Sequence, residues 1–183
     1  MIRQSFRPAR PAPTWWNLVK TFGQMVVFWI LFLWVFPQWI CMAESSLGSP
    51  RLPMRLSGLW ASVLLVSASL LGLWSAWAMS VIGQGTPFPT DTARHLVVTG
   101  PYRYVRNPMA IAGLTQAFGV GVYLGSWGVL AYVLVGGVVW NTWARPPEEC
   151  DLEGRFGAPY VRYKSHVRCW IPTLTGYRAE ASA

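Results

Sequence analysis

Three long stretches of the chain contain no Asp, Glu, Lys or Arg: Thr21 to Ala43, Leu56 to Thr90 and Asn107 to Ala144. A helix needs about 20 mainly apolar residues to cross the hydrocarbon layer of a bilayer. The run from Phe22 to Cys41 meets that need and predicts a first transmembrane helix, with Pro37 bending or ending it near the far surface. A polar link, AESSLGSPRLPMR, leads to a second run from Leu56 to Ile82, long enough to span with tilt.

The third run behaves differently. From Met109 to Trp143 it is too long for one ordinary span, and Gly119, Gly121, Gly125, Ser126 and Gly128 interrupt it. Two helices in a tight hairpin, turning near Gly125-Ser126, account for this. The expected fold is therefore an all-α integral membrane protein of about four transmembrane helices, the last two a hairpin.

Between the second and third runs, GQGTPFPTDTARHLVVTGPYRYVRN carries Gly, Pro and charge throughout and predicts an interfacial loop with short ordered pieces. After Trp143, ARPPEECDLEGRFGAPYVRYKSHVRCWIP predicts two short helices split at Gly157, the first begun by Pro146 or Pro147 with Glu148 and Glu149 in its first turn. The start of the chain, basic and rich in proline, predicts a mobile arm over residues 1–20 that ends at an aromatic anchor, Trp15-Trp16. A cleaved signal peptide fits poorly, because its apolar core would be only about 7 to 15 residues. Residues 21–82 form the first two spans, 83–172 the core and 173–183 a flexible tail.

Composition sharpens this picture. With 53% hydrophobic and 12% charged residues and 12 tryptophans, the chain does not read as a soluble domain. A net charge of +8 is spread over both ends and short loops, which suits anionic lipid headgroups and gives no dense face for nucleic acid. An even number of spans places both termini on one side. The arginines and lysine before the first helix, in the 83–108 loop and in the tail predict that side to be cytoplasmic, so loop and tail can share one site.

Several chemistries are disfavoured by context. The glycines of GVGVYLG follow no strand and open no βαβ unit, so they suit helix packing better than a dinucleotide. His95, His166, Cys150 and Cys169 have no zinc-ligand spacing, and no metal is expected. The three cysteines form no CxxC pair, and no GxSxG motif is present.

Two clusters remain. Glu148-Glu149 lies just past the last apolar run, where a carboxylate near hydrocarbon needs a positive partner. In TGPYRYVRNP, Gly100 and Pro101 make the backbone irregular, Arg103 and Arg106 add charge, and Asn107-Pro108 opens a helix whose first amides can receive an anion. Glycine, aromatic, cation and helix start together can hold a small zwitterion.

These two clusters resemble the membrane methyltransferases of the isoprenylcysteine carboxyl methyltransferase and phospholipid methyltransferase group. Gly100, Tyr102, Arg106, Asn107 and Pro108 fill its first element, and Glu148, Glu149, Leu152, Phe156, Gly157, Tyr160 and Tyr163 its second, with a hairpin between. The resemblance covers about residues 82–172. It implies S-adenosylmethionine at the cytoplasmic end of the helices, touching His95, Leu96, Val97, Gly100, Tyr102, Asn107, Pro108, Met109, Ala110 and Glu148.

The acceptor it implies is lipophilic and reaches the sulfonium methyl from the bilayer. An amine acceptor would need a base, for which Glu149 is a candidate; a carboxylate or thiolate would need an anchor, for which Arg145 is one, with Arg106 beside them. Asn107 stands where the eukaryotic carboxyl methyltransferases usually have His, and Ala144 where they have a substrate-binding Arg. A membrane reductase of the sterol-reductase type using NADPH, and a non-enzymatic membrane scaffold, are the alternatives.

Overall fold

The first apolar run and its flanks form one long helical rod. In the computed structural model, which describes residues 7–52, 57–87 and 89–179, α1 runs over Thr14–Phe28 and α2 over Phe36–Ser46, joined without a break by the π-helical segment Trp29–Val35. Pro37 therefore neither ends the helix nor interrupts it. Proline lacks an N–H and its ring crowds the carbonyl four residues back; that residue, Leu33, lies in the widened π segment, where the ladder is already shifted.

The same device recurs later. Helix α5 (Trp127–Val139) passes through a π segment, Trp140–Ala144, into α6 (Arg145–Phe156), and the carbonyls four residues before Pro146 and Pro147 both fall in that segment. The rod is apolar up to Ala144 and charged from Arg145 onward, so the spanning part ends at about Ala144 and α6 stands outside it. Helix α7 (Ala158–His166) follows after Gly157, where the tail was expected to divide.

Helices α3 (Ser57–Val81) and α4 (Pro108–Leu124) pack most extensively against each other. Ala61, Ala68 and Ala76 of α3 and Ala112 and Ala117 of α4 are all buried, and such small side chains let helix backbones approach closely where lipid provides no hydrophobic drive. Outward-facing Val66, Leu70, Leu134 and Val138 are exposed, as a lipid-facing surface requires. The α4–α5 hairpin turns at Gly125, whose φ of 63° is left-handed, and the Ser126 hydroxyl then accepts from Val129 N at 3.0 Å to cap α5.

Among the described residues, three helical rods are long and apolar enough to cross a membrane: Thr14–Ser46, Gly58–Val81 and Trp127–Phe156. Helix α4, with 17 residues, sits at the lower end of the roughly 17–25 that crossing takes. It nevertheless runs from the loop end of the bundle to the hairpin end. Glu44, at the far end of α2, accepts hydrogen bonds there from Ser126 Oγ (2.5 Å) and Gly128 N (2.6 Å).

The opposite end gathers the loops. Lys20 of α1 pairs with Asp91, Arg7 N donates to Pro89 O (2.7 Å), and Ala9 N donates to Thr92 O (2.9 Å). Residues 7–9, expected in a mobile arm, are instead laid against the 83–107 loop; residues 1–6 of that arm lie outside the described residues. The expected flexible tail is likewise held in part: Thr173 N donates to Tyr104 O (2.8 Å) and Tyr177 N to Arg103 O (2.9 Å). Residues 180–183 lie outside the described residues. The described residues contain no β-strand, only isolated bridges involving Pro8, Thr86 and Thr92.

Candidate functional site

A cavity of about 760 Å³ opens at the loop end and reaches down between the helices. That is within the roughly 300–1,000 Å³ of small-molecule sites. Its upper wall is the loop with α6 and α7, and its lower wall is apolar, from Phe28 and Phe32 on the first rod to Tyr132 and Trp140 on the third. Both π segments contribute, through Trp29, Phe32 and Leu33 on one side and Trp140 and Ala144 on the other. Widening the helix turns these side chains out of the regular register and into the cavity, a use to which π-bulges are often put.

The chain enters α4 without a side-chain cap. Asn107 is the N-cap residue, Pro108 occupies the first turn, and the first backbone bond runs from Ile111 N to Asn107 O (3.2 Å). Among the described residues the Met109 and Ala110 amides thus have no protein acceptor, and both residues line the cavity. A helix start of this kind receives anionic groups.

Neighbouring glutamates in α6 have unlike surroundings. Glu149 Oε1 accepts from Arg106 Nη1 at 2.9 Å and faces Arg145 Nη1 at 3.6 Å, while its Oε2 lies 2.9 Å from Lys164 Nζ. Its carboxylate therefore meets three cations. Glu148 forms no ion pair or hydrogen bond among the described residues, yet it lines the cavity. Burial, and then the charges of Glu149 and Asp151, push its pKa up to about 7.

Aromatic residues close the upper wall. Tyr163 donates its hydroxyl to Tyr102 O at 2.7 Å, tying α7 to the loop that precedes α4. Burial and then the Glu148 charge push the Tyr102 phenol upward, and burial and then Glu149 push Tyr160 up to about 12, so both hydroxyls stay neutral. Arg155 holds Asp151 at 2.7 Å and donates to Ala93 O at 2.7 Å, fixing α6 to the loop from the other side.

The structure brings together most of the residues singled out from the sequence. His95, Leu96, Val97, Tyr102, Arg106, Asn107, Met109, Ala110, Glu148 and Glu149 all line the cavity. Gly100, Pro108 and Arg145 do not. Gly100, at φ 58°, packs against the Trp74 indole; Pro108 is buried at the start of α4; Arg145 reaches the site only through Glu149.

Other participants were missed. Lys164 and Asp151 sit in the sequence among the other tail charges, and the first rod reads there as a transmembrane helix with no part in the site. Its Gln24 also lines the cavity, and Trp29 Nε1 donates to Gln116 Oε1 (3.2 Å) while Gln116 Nε2 donates to Ser69 Oγ (2.9 Å). A signal was present: Gln24 and Gln116 are amides inside uncharged runs, and polar groups at such depth face the bundle interior.

A ligand-sized cavity shared between interfacial loops and the interior of a helical membrane bundle defines an integral membrane protein acting on small or lipophilic molecules. The family model of phospholipid methyltransferase matches residues 57–158, more than half of the 183, and the chain belongs to that family. It is a membrane methyltransferase. The match runs from the start of α3 into α7 and leaves α1 and α2 outside. No curated protein matches the chain.

Proposed function

We propose that the protein transfers the methyl group of S-adenosylmethionine to a lipophilic acceptor that enters from the bilayer, with the loop end and both termini on the cytoplasmic side. The observation that carries this reading is Glu148: a carboxylate with no ion pair or hydrogen bond among the described residues, lining the same cavity as the Met109 and Ala110 amides that start α4. A carboxylate and a pair of amide donors in one cavity suit the ammonium and carboxylate of one amino-acid moiety. Tyr102, Leu96 and Val97 offer an apolar and aromatic surface for a purine, and the apolar wall from Phe28 to Trp140 suits acyl or prenyl chains.

When bound, S-adenosylmethionine would supply an activated methyl on a sulfonium, a group that needs no further activation to leave. The task of the chain is then to align the acceptor and exclude water. Arg106 and Arg145 both meet Glu149, yet Arg106, which lines the cavity, keeps a buried Nε without a hydrogen-bond partner among the described residues. The cavity thus offers an acceptor a cationic donor as well as the Glu148 carboxylate. Glu149, surrounded by three cations, acts in this reading as the clamp that holds α6, α7 and the loop together, and Glu148 is the carboxylate left for ligand.

Ligand-dependent thermal unfolding of the detergent-purified protein tests the proposal. Stabilisation by S-adenosylmethionine and S-adenosylhomocysteine is expected; stabilisation by NADPH alone would overturn it in favour of a reductase, and no response to any of them in favour of a scaffold. Incubating lipid extracts with labelled methyl donor, then mass spectrometry of the product, identifies the acceptor.

A further inference from the structure

On the loop end but outside the main cavity, α7 and the chain that follows it form a second concavity. It measures about 250 Å³ and is lined by Arg162, His166, Thr175, Gly176, Tyr177 and Arg178. Arg162 and His166 stand one turn apart on α7 and so share a face. The imidazole Nδ1 lies 2.8 Å from Arg162 O and 3.1 Å from Ser165 Oγ, and the other ring nitrogen has no hydrogen-bond partner among the described residues.

The facing wall is built, not loose. Tyr177 N donates to Arg103 O at 2.9 Å, Arg103 Nε donates back to Tyr177 O at 3.1 Å, and the Tyr177 ring meets Tyr163 edge-on at 5.4 Å. At Gly176 a side chain would press on Arg103 Nε and the Tyr104 ring at 3.2 Å, so the backbone seats closely there.

Among the described residues, charge in this pocket has one sign: no carboxylate lines it, and neither Arg162 nor Arg178 forms an ion pair, whereas Lys20, Arg106, Arg145, Arg155 and Lys164 all do. Immediately before the pocket wall, Leu174 is fully exposed and Ile171 is 61% exposed. Apolar side chains projecting beside unpaired arginines are the arrangement of a segment that lies on a bilayer, with the apolar groups toward acyl chains and the cations among headgroup phosphates.

We propose that this pocket binds a phosphate group, with the Arg162 and Arg178 guanidiniums as charge-assisted donors and the Thr175 hydroxyl as a further one. The exposed Leu174 and Ile171 favour a phospholipid headgroup as its source. Occupancy braces Tyr177 against Tyr163, whose hydroxyl holds the Tyr102 carbonyl, so the site is connected by direct contacts to the loop at the main cavity.

The test uses the full chain in detergent with two probes: inorganic phosphate, followed by ³¹P NMR, and phosphatidic acid against phosphatidylcholine, followed by native mass spectrometry. Arg162 and Arg178 are exposed, so R162Q/R178Q keeps its fold, which its unliganded thermal midpoint checks. R10Q/R51Q removes the same charge elsewhere. Saturable binding weakened about tenfold or more in R162Q/R178Q, and unchanged in R10Q/R51Q, is expected. Preferential retention of phosphatidic acid, with or without inorganic phosphate binding, assigns the site to a headgroup; binding of inorganic phosphate alone assigns it to a free anion. Saturation by neither probe, or equal loss in both variants, overturns the proposal.

Discussion

At the hairpin end of the bundle, Glu44 commits both oxygens to the start of α5, one to the Ser126 hydroxyl and one to the Gly128 amide. At the loop end, Glu148 stands in the first turn of α6 with neither oxygen committed among the described residues. Glu44 lies beside a helix start, where the backbone field favours negative charge, whereas Glu148 lies within the continuous rod Trp127–Phe156. The first is used up in holding α2 to the hairpin. The second is left facing a cavity, and an uncompensated carboxylate in such a place costs free energy that structure alone does not recover. The contrast separates a carboxylate that builds the fold from one available to a ligand, and Glu149, next in sequence to Glu148, falls on the building side.

The largest effect should come from removing the best-compensated carboxylate. Glu149→Ala leaves Arg106, Arg145 and Lys164 facing one another, with Arg106 only 11% exposed, and should cost about 3–5 kcal/mol in unfolding measured in detergent. Glu44→Ala should cost less, about 1.5–3 kcal/mol by the same measurement, with S-adenosylmethionine affinity untouched. An equal loss of ligand binding in that variant would erase the distinction between the two ends.

Glu148→Gln should do the reverse: affinity for S-adenosylmethionine down about tenfold or more by calorimetry, with stability unchanged or raised. The same variant isolates a pH effect. Because the folded protein holds the Glu148 proton up to about pH 7 and the unfolded chain releases it near 4.5, the group's contribution to stability is present below 4.5, falls as pH rises through that window and is level above it. Midpoints of unliganded wild type should therefore drop relative to Glu148→Gln from pH 4.5 to 7; parallel curves would show that Glu148 is not buried as described. The smallest effect belongs to Tyr163→Phe, which removes the bond to Tyr102 O and should cost about 0.5–1.5 kcal/mol, read as faster amide exchange in residues 99–107.

Much of this molecule is legible in one dimension. The charge-free runs specify membrane rods because a bilayer tolerates only helices whose backbone bonds close internally, and that depends on composition over about 20 residues, not on distant partners. Gly125-Ser126 marks the hairpin because a left-handed turn and a hydroxyl cap are local requirements. The division at Gly157 is local in the same way. The spacing of Gly100, Tyr102, Arg106 and Asn107 ahead of the hairpin, and of the glutamates and tyrosines after it, was enough to point to the family.

Other features were decided only in three dimensions. Pro37 reads as a bend or an end, but the rod runs on through it, because the carbonyl its ring would crowd lies in a π segment whose ladder is already shifted. Glu148 and Glu149 are adjacent in sequence and both line the cavity, yet they stand about 100° apart around the helix, so Glu149 meets Arg106 and Lys164 while Glu148 meets neither. Which of them stays free depends on where α7 and the loop deliver their cations, and no local pattern encodes that. The chain by itself determined that there would be a membrane bundle with polar elements at one end; the folding of α7 and the loop over α6 decided which carboxylate that end leaves unpaired.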